Sequence, residues 1–113
     1  MADKHWKQFE REVARLLGGE RYPANSGGRI DVESSEYVAQ VKHVQRMSLA
    51  QLEALAIEME RLGAEKSKVG LVVVKLRAGR GHSTKALVIL TEGAFRALAH
   101  DLIRLQEEKV CQI

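Results

Sequence analysis

Asp31, Gln40 and Lys42 are the residues of this chain whose types and spacing point to shared chemistry. A carboxylate and an amide oxygen are hard ligands of the kind magnesium takes, usually alongside water and a substrate phosphate. An ammonium beside them can orient or deprotonate an attacking water, or balance charge developing on a phosphate. The set reads as a divalent-metal, water-activating site. Glu10 joins it from far off in the sequence. On a helical wheel it falls among Trp6, Val13, Ala14 and Leu17, near the middle of an apolar stripe, whereas Glu12 lies well away. A carboxylate facing a core is costly unless it is paired or binds a metal. Each residue taken alone also has a plainer reading. Glu10 can bend out to water, Asp31 and Gln40 can be strand surface, and Lys42 a solvated strand end. Aspartate is disfavoured in strands, however, so Asp31 between Ile30 and Val32 asks for a reason.

The element that must gather them is a hairpin. Ile30, Val32, Tyr37, Ala39 and Val41 alternate with Arg29, Asp31, Glu33, Gln40 and Lys42, with Val38 the one exception. Strand side chains point to opposite faces in turn. Strands at about 29–33 and 37–43, folded about Ser34-Ser35 or Ser35-Glu36, set Asp31, Gln40 and Lys42 on one face and the apolar set on the other. A slip of one residue would separate Asp31 from its partners and bury charge.

The flanking elements follow from periodicity and stop signals. Trp6, Phe9, Val13, Leu16 and Leu17 recur at helical spacing, which predicts a helix over 4–17 with Asp3 as N-cap and Gly18-Gly19 as its stop. A short strand at 20–22 ends at Pro23, and Asn25-Ser26-Gly27-Gly28 is a flexible turn. Ser48 and Gln51 have capping-box spacing and open a second helix over 49–62, with Leu49, Leu52, Leu55, Ala56 and Met59 along one side and Gly63 as its end. Val69–Lys75 reads as a buried strand. A glycine-basic loop over 77–85 leads to a strand at 86–90. A helix begins after Thr91 and runs to about 106, its stripe of Phe95, Leu98, Leu102 and Leu105 read as core. From about Glu107 the chain is expected to be loose. This order predicts an α/β fold, a mixed sheet with helices packed on it, in one domain over 1–113 with a flexible tail at 107–113.

Bulk properties narrow the classes of function. Only 4% of the 113 residues are aromatic, so the core must rest on Leu, Val, Ile and Ala. The net charge of +3 permits an anionic partner without demanding one. Locally the balance is stronger: Lys66, Lys68, Lys75, Arg77, Arg80 and Lys85 face a single acid, Glu65, across that stretch. Cys111 is the only cysteine, which rules out an internal disulfide and a cysteine-based zinc site and suits a reducing cytoplasm. No apolar run is long enough to span a bilayer, and the first residues lack the apolar run of a secretory signal. The histidines show no paired metal spacing.

Glu10, Asp31 and Gln40-x-Lys42 together resemble the PD-(D/E)xK nuclease superfamily. The surrounding residues are similar to those of phage and archaeal Holliday junction resolvases. Trp6-Lys7-x-x-Glu10-Arg11-x-Val13-Ala14-x-x-Leu17-Gly18-Gly19 resembles their first helix. Arg21-x-Pro23-x-x-Ser26-Gly27 resembles the mobile loop before the metal-binding acid, and Val41-Lys42-His43 the end of the catalytic strand. The resemblance covers roughly residues 5–98. It implies a restriction-endonuclease-like αβββαβ core and a homodimeric, Mg²⁺-dependent phosphodiesterase, with Mn²⁺ as a substitute, working in the cytoplasm, the host's if phage-encoded. By position, Glu10, Asp31 and Gln40 would hold metal together with the Val41 backbone carbonyl. Lys42 would act on the attacking water, and Ser26 would approach the scissile phosphate. The chain departs from the family in two places: Gln40 stands where Glu is usual, and Ile30 where Pro often precedes the aspartate. A glutamine there is familiar in Mrr-like restriction nucleases of the same superfamily, and it lowers the site's negative charge by one.

The expected DNA surface comprises Arg21, Ser26, Arg29, His43, Arg46, Arg77, Arg80 and Lys85. Cations on a glycine-bearing loop attract the phosphate backbone without reading sequence. No zinc finger or Arg/Asn reading helix is evident, so DNA shape is the expected target, and a four-way junction suits it. Two alternatives stay open. One is a restriction or repair nuclease on duplex DNA, against which the short chain counts, since it leaves little room for a specificity domain. The other is a catalytically silent DNA-binding dimer.

Overall fold

A computed structural model describes residues 5–22, 29–78 and 83–111. The elements run α1 (His5–Leu17), β1 (Glu20–Arg21), β2 (Val32–Glu33), β3 (Tyr37–Val44), α2 (Leu49–Glu65), β4 (Val69–Leu76), β5 (Leu87–Ile89) and α3 (Glu92–Cys111). The five strands form one mixed sheet in the order β1-β2-β3-β4-β5. β3 and β4 are parallel and joined by the α2 crossover, while the other neighbours are antiparallel. The fold is therefore α/β, a mixed sheet flanked by helices. Among the described residues, no helix is long and apolar enough to cross a membrane.

Both faces of the central strands are covered. On one, Phe9, Val13 and Ala14 of α1 pack on Val32, Ala39, Val41, Leu71 and Val73. On the other, Ala56 and Met59 of α2 pack on Ile30, Val38, Val72 and Val74. A strand buried on both sides reads as a continuous apolar run, which is why β4 shows no alternation from Gly70 to Val74. The same cover accounts for Val38, the exception in the β3 pattern: it is fully buried under α2.

The helix ends are local chemistry. α1 stops where Gly18 takes φ +68 and the Gly19 N–H bonds the Ala14 carbonyl at 2.8 Å. That left-handed cap is one glycine adopts without a Cβ penalty. At the start of α2, the Ser48 hydroxyl accepts from the Gln51 N–H at 3.1 Å and the Gln51 side chain accepts from the Ser48 N–H at 2.9 Å, completing the expected capping box.

Four expectations are corrected. Gly63 lies inside α2, which continues to Glu65. It is buried because β4 passes close by: a Cβ there would sit 2.6 Å from the Lys68 carbonyl and 2.7 Å from the Gly70 nitrogen. Its lack of a side chain serves packing, not termination. α3 runs on to Cys111, past the expected end near 106, so the segment from Glu107, expected as a loose tail, continues as helix that far. The α3 stripe is also not core. Phe95, Leu102 and Leu105 are each more than half exposed, and the buried residue is Ala94. Finally, the first arm of the hairpin is shorter than expected, because the ladder breaks at Asp31.

Candidate active site

The break at Asp31 organises the site. β2 pairs with β3 through Val32↔Ala39 and Glu33↔Val38. The Asp31 N–H also reaches the Ala39 carbonyl, at 2.9 Å. Two consecutive residues thus oppose one, which is the geometry of a β-bulge, a device that ends pairing and re-aims a side chain. Ile30 is carried to the α2 face while Val32 stays on the α1 face. The strict alternation that would have put Ile30 and Val32 on one side, and Asp31 with Gln40 and Lys42 on the other, is corrected accordingly. Asp31 leaves the alternation altogether. Its carboxylate Oδ2 accepts the Val41 N–H at 2.8 Å, a ladder donor that would otherwise seek a backbone carbonyl. Asp31 is thereby fixed against the Gln40–Lys42 stretch of β3.

Its electrostatics are those of a partly buried acid short of partners. Burial raises the Asp31 pKa above its ordinary value, and this outweighs the opposing pull of the Val41 hydrogen bond, the Lys42 ammonium and the Arg21 guanidinium. Lys42 and Arg21 are therefore both within electrostatic reach of the carboxylate. The Gln40 side chain presents an unsatisfied acceptor. Its Oε1 is buried and, among the described residues, has no hydrogen-bond partner. A buried carbonyl oxygen without a donor is costly, and such an orphan calls for a ligand.

Glu10 comes from α1 and, as the wheel indicated, is buried at 9% exposure. It is satisfied by an ion pair. The Arg21 Nε and Nη2 both donate to its Oε1, at 3.0 and 2.9 Å. Arg21 reaches this position because it pairs with Val32 across β1–β2, which puts it on the α1 face. Arg21 was expected on the DNA surface; its guanidinium is held on Glu10 and acts on Asp31 only at a distance. No sequence signal joined these two residues. Their meeting depends on a two-residue strand and its register.

The remaining residues separate into groups. Arg46 and Arg77 are exposed and leave the same end of the sheet as Lys42, with the Arg77 N–H on the Val44 carbonyl at 2.8 Å. Arg46 lines an open depression with Met47, Ser48, Gln51 and Leu76. Lys85 is exposed. His43 lies on the α1 face with its ring centroid 5.7 Å from that of Phe9. Arg29 points instead to α2, where its guanidinium pairs with Glu58. Ser26 and Arg80 lie outside the described residues. A cluster the sequence did not reveal surrounds Glu33, which accepts from the Tyr22 hydroxyl, from Lys68 and, at 3.0 Å, from Lys66. These cations stand 33 and 35 residues away in the chain, so no local pattern could announce them.

What the arrangement offers chemically is an acid with spare acceptor capacity, an orphaned amide oxygen, an ammonium and a guanidinium held on a second carboxylate. Among the described residues, no three His, Cys, Asp or Glu side chains gather into a group that could hold a metal ion. The expected donors are divided by the sheet: Gln40 and Lys42, paired with Val72 and Val74, lie on the α2 face, whereas Glu10 and Arg21 lie on the α1 face. The orphaned Gln40 oxygen fits a hard cation, which takes neutral carbonyl oxygens as readily as it takes water. Comparison with protein-family models, with curated proteins and with solved structures finds no match for the chain.

Proposed function

We propose that the chain is a metal-dependent endodeoxyribonuclease with a restriction-endonuclease-like αβββαβ core, hydrolysing phosphodiesters of four-way DNA junctions. The observation that supports this reading is the buried Gln40 oxygen without a partner among the described residues, next in β3 to Val41, whose N–H the Asp31 carboxylate accepts. The order of elements around them, helix, three strands, crossover helix and parallel strand, supports it. Asp31, Gln40 and the Val41 carbonyl would hold Mg²⁺ or Mn²⁺, while Glu10, the fourth expected ligand, stands across the sheet on the α1 face. When bound, such an ion lowers the pKa of water and stabilises charge on a phosphoryl oxygen. Lys42 orients the water in line with the phosphorus and balances the charge that develops there. Arg46, Arg77 and Lys85 attract the DNA backbone from the same end of the sheet.

A resolvase must cut two strands symmetrically, so a two-fold homodimer belongs to the proposal. The exposed apolar side chains of α3, Phe95, Leu102, Ile103 and Leu105, support a self-covering surface. A cytoplasmic protein with no membrane contact suits the same reading. The test is to incubate purified protein with synthetic four-way junctions and matched duplexes in Mg²⁺ or Mn²⁺. Junction cleavage, lost in Asp31→Asn, is the expected result. Equal cutting of both substrates would replace the junction reading with a restriction-type duplex nuclease.

A second reading has its own observation. Gln40 is neutral and Glu10 is neutralised by Arg21, which favours a silent junction-binding dimer. Junction binding that survives Asp31→Asn, with no cleavage by either form, would select it.

A further inference from the structure

We propose that α3 is the dimerisation element, and that it packs against α3 of a second copy of this chain, running antiparallel about a two-fold axis. This pairing rests on the homodimer of the nuclease reading, to which it gives a surface, and it uses none of the chemistry of the site. α3 is 20 residues long, yet only its first half rests on the protomer. Ala94 is buried, Leu98 and Ala99 are half-buried, and every residue from His100 to Lys109 is exposed. Most helical stability in proteins comes from packing an apolar face, and a short helical stretch standing in water is marginal without it. The exposed stretch has such a face. Phe95, Leu102, Ile103 and Leu105 are each more than half exposed. Clustered apolar exposure of this kind marks an interaction site.

The occupant follows from spacing and charge. Leu98 and Leu105 turn toward the body, where they line a cleft with Tyr37 and Val69. On the outward side, Phe95, Ala99, Leu102 and Gln106 follow at intervals of 4, 3 and 4, with Ile103 beside them. That spacing reads the same from either end. An antiparallel copy therefore sets Ala99 against Leu102 and Phe95 against Gln106, each twice, as a two-fold contact requires. Arg96 and Glu107 flank this face on one side. Antiparallel packing brings each Arg96 beside the Glu107 of the other copy, whereas parallel packing would set like charge on like. In the protomer Arg96 is held by Glu92, with the two side chains 78 and 79% exposed, so it exchanges partners at little cost. Asp101 and Arg104 stand on the cleft side, away from the contact. Two helices about 30 Å long, joined through such stripes, cover on the order of 1,000 Å² in all, the least that a specific interface needs.

The test is sedimentation equilibrium of the purified full chain at tens of micromolar, in reducing buffer so that Cys111 forms no cross-link. Wild type is expected as a dimer. Ile103→Glu puts a charge into the contact at a side chain the protomer leaves exposed, so helix content by circular dichroism should hold while the dissociation constant rises about 30-fold or more. Arg96→Glu and Glu107→Arg should each weaken self-association about tenfold, by turning two attractive pairs into repulsive ones. Mixed together, these two variants should recover the wild-type affinity, since each then meets its opposite charge at both contacts. They also serve if Ile103→Glu does not fold. A monomeric wild type, or a dimer indifferent to Ile103→Glu, overturns the pairing, and so does a mixture that recovers nothing. Junction cleavage is measured on the same samples. A dimer that meets these tests but cuts no DNA keeps the α3 pairing and overturns the nuclease reading, whereas cleavage by a monomer does the reverse.

Discussion

Asp31 and Glu33 stand two residues apart on one ribbon, each facing two cations, yet their environments push them in opposite directions. Lys68 and Lys66 hold the Glu33 carboxyl below its ordinary range, the Lys68 hydrogen bond contributing most, and this exceeds the cost of burial. At Asp31 burial wins and the carboxyl is raised, with one backbone N–H as its hydrogen-bond donor among the described residues and its cations acting at a distance. Glu33 is over-supplied with donors and ties β2 to the α2–β4 turn. Asp31, among the described residues, takes a single backbone donor on one of its two oxygens. The number of charges nearby does not separate a strut from a site; what separates them is whether the donors are already spent on the carboxylate.

The largest expected effects test the site half of this contrast. Asp31→Asn keeps an oxygen for the Val41 N–H but loses the charge. Junction cleavage should fall by about 10³-fold or more in a Mg²⁺ assay, since removal of one electrostatic partner at a reacting phosphate costs on that order. Glu33→Gln should leave cleavage within about threefold of wild type. Comparable losses in the two variants would erase the distinction between them. Lys42→Met comes next. Loss of a group that positions or deprotonates water costs about 10²–10⁴-fold, with the loss in kcat and little change in KM.

Stability should reverse the ranking. Glu33→Gln removes charge-assisted bonds to Lys66 and Lys68 and should cost about 1 kcal/mol after allowance for the solvent access of those lysines. Asp31→Asn relieves a carboxylate held at a cost by burial, so it should match or slightly exceed wild type in urea unfolding. An inactive variant that is no less stable than wild type is the signature of a functional residue. Destabilisation of Asp31→Asn by several kcal/mol would instead mark Asp31 as a structural cap for Val41.

The legibility of the chain follows the same division between local and distant causes. The α1 helix, the Ser48–Gln51 box and the apolar run of β4 each depend on residues within a few positions and are seen as expected, although Leu16 of the α1 stripe is exposed. The burial of Glu10 followed from its place on the wheel. What escaped was set by tertiary register. The bulge turned Ile30 under α2, the close pass of β4 made Gly63 a packing residue, and β1 brought Arg21 onto Glu10. The α3 stripe has the periodicity of core, but periodicity cannot say whether another element covers it, and Phe95, Leu102 and Leu105 remain exposed. Alternation likewise assumed one covered face, whereas α1 and α2 cover both.

The smallest effect, and the finest discriminator, is the pH dependence of stability. Glu33 has a depressed folded-state pKa, so its contribution is present above its ordinary value of 4.5 and is lost as pH falls through the lower folded value. Asp31 has a raised one, so its ionised form costs stability at neutral pH, and that cost fades as pH falls through the folded value toward 3.8. Going from pH 7 toward pH 4, the Asp31 penalty lifts first, and the Glu33 support drains away only below about 4.5. Unfolding midpoints measured across this range should therefore show Asp31→Asn losing its advantage over wild type as the solution is acidified. The deficit of Glu33→Gln should hold constant down to about pH 4.5 and shrink below it. A deficit of Asp31→Asn at neutral pH that shrank with acidification, as that of Glu33→Gln should, would reverse the assigned sign and make the two carboxylates alike.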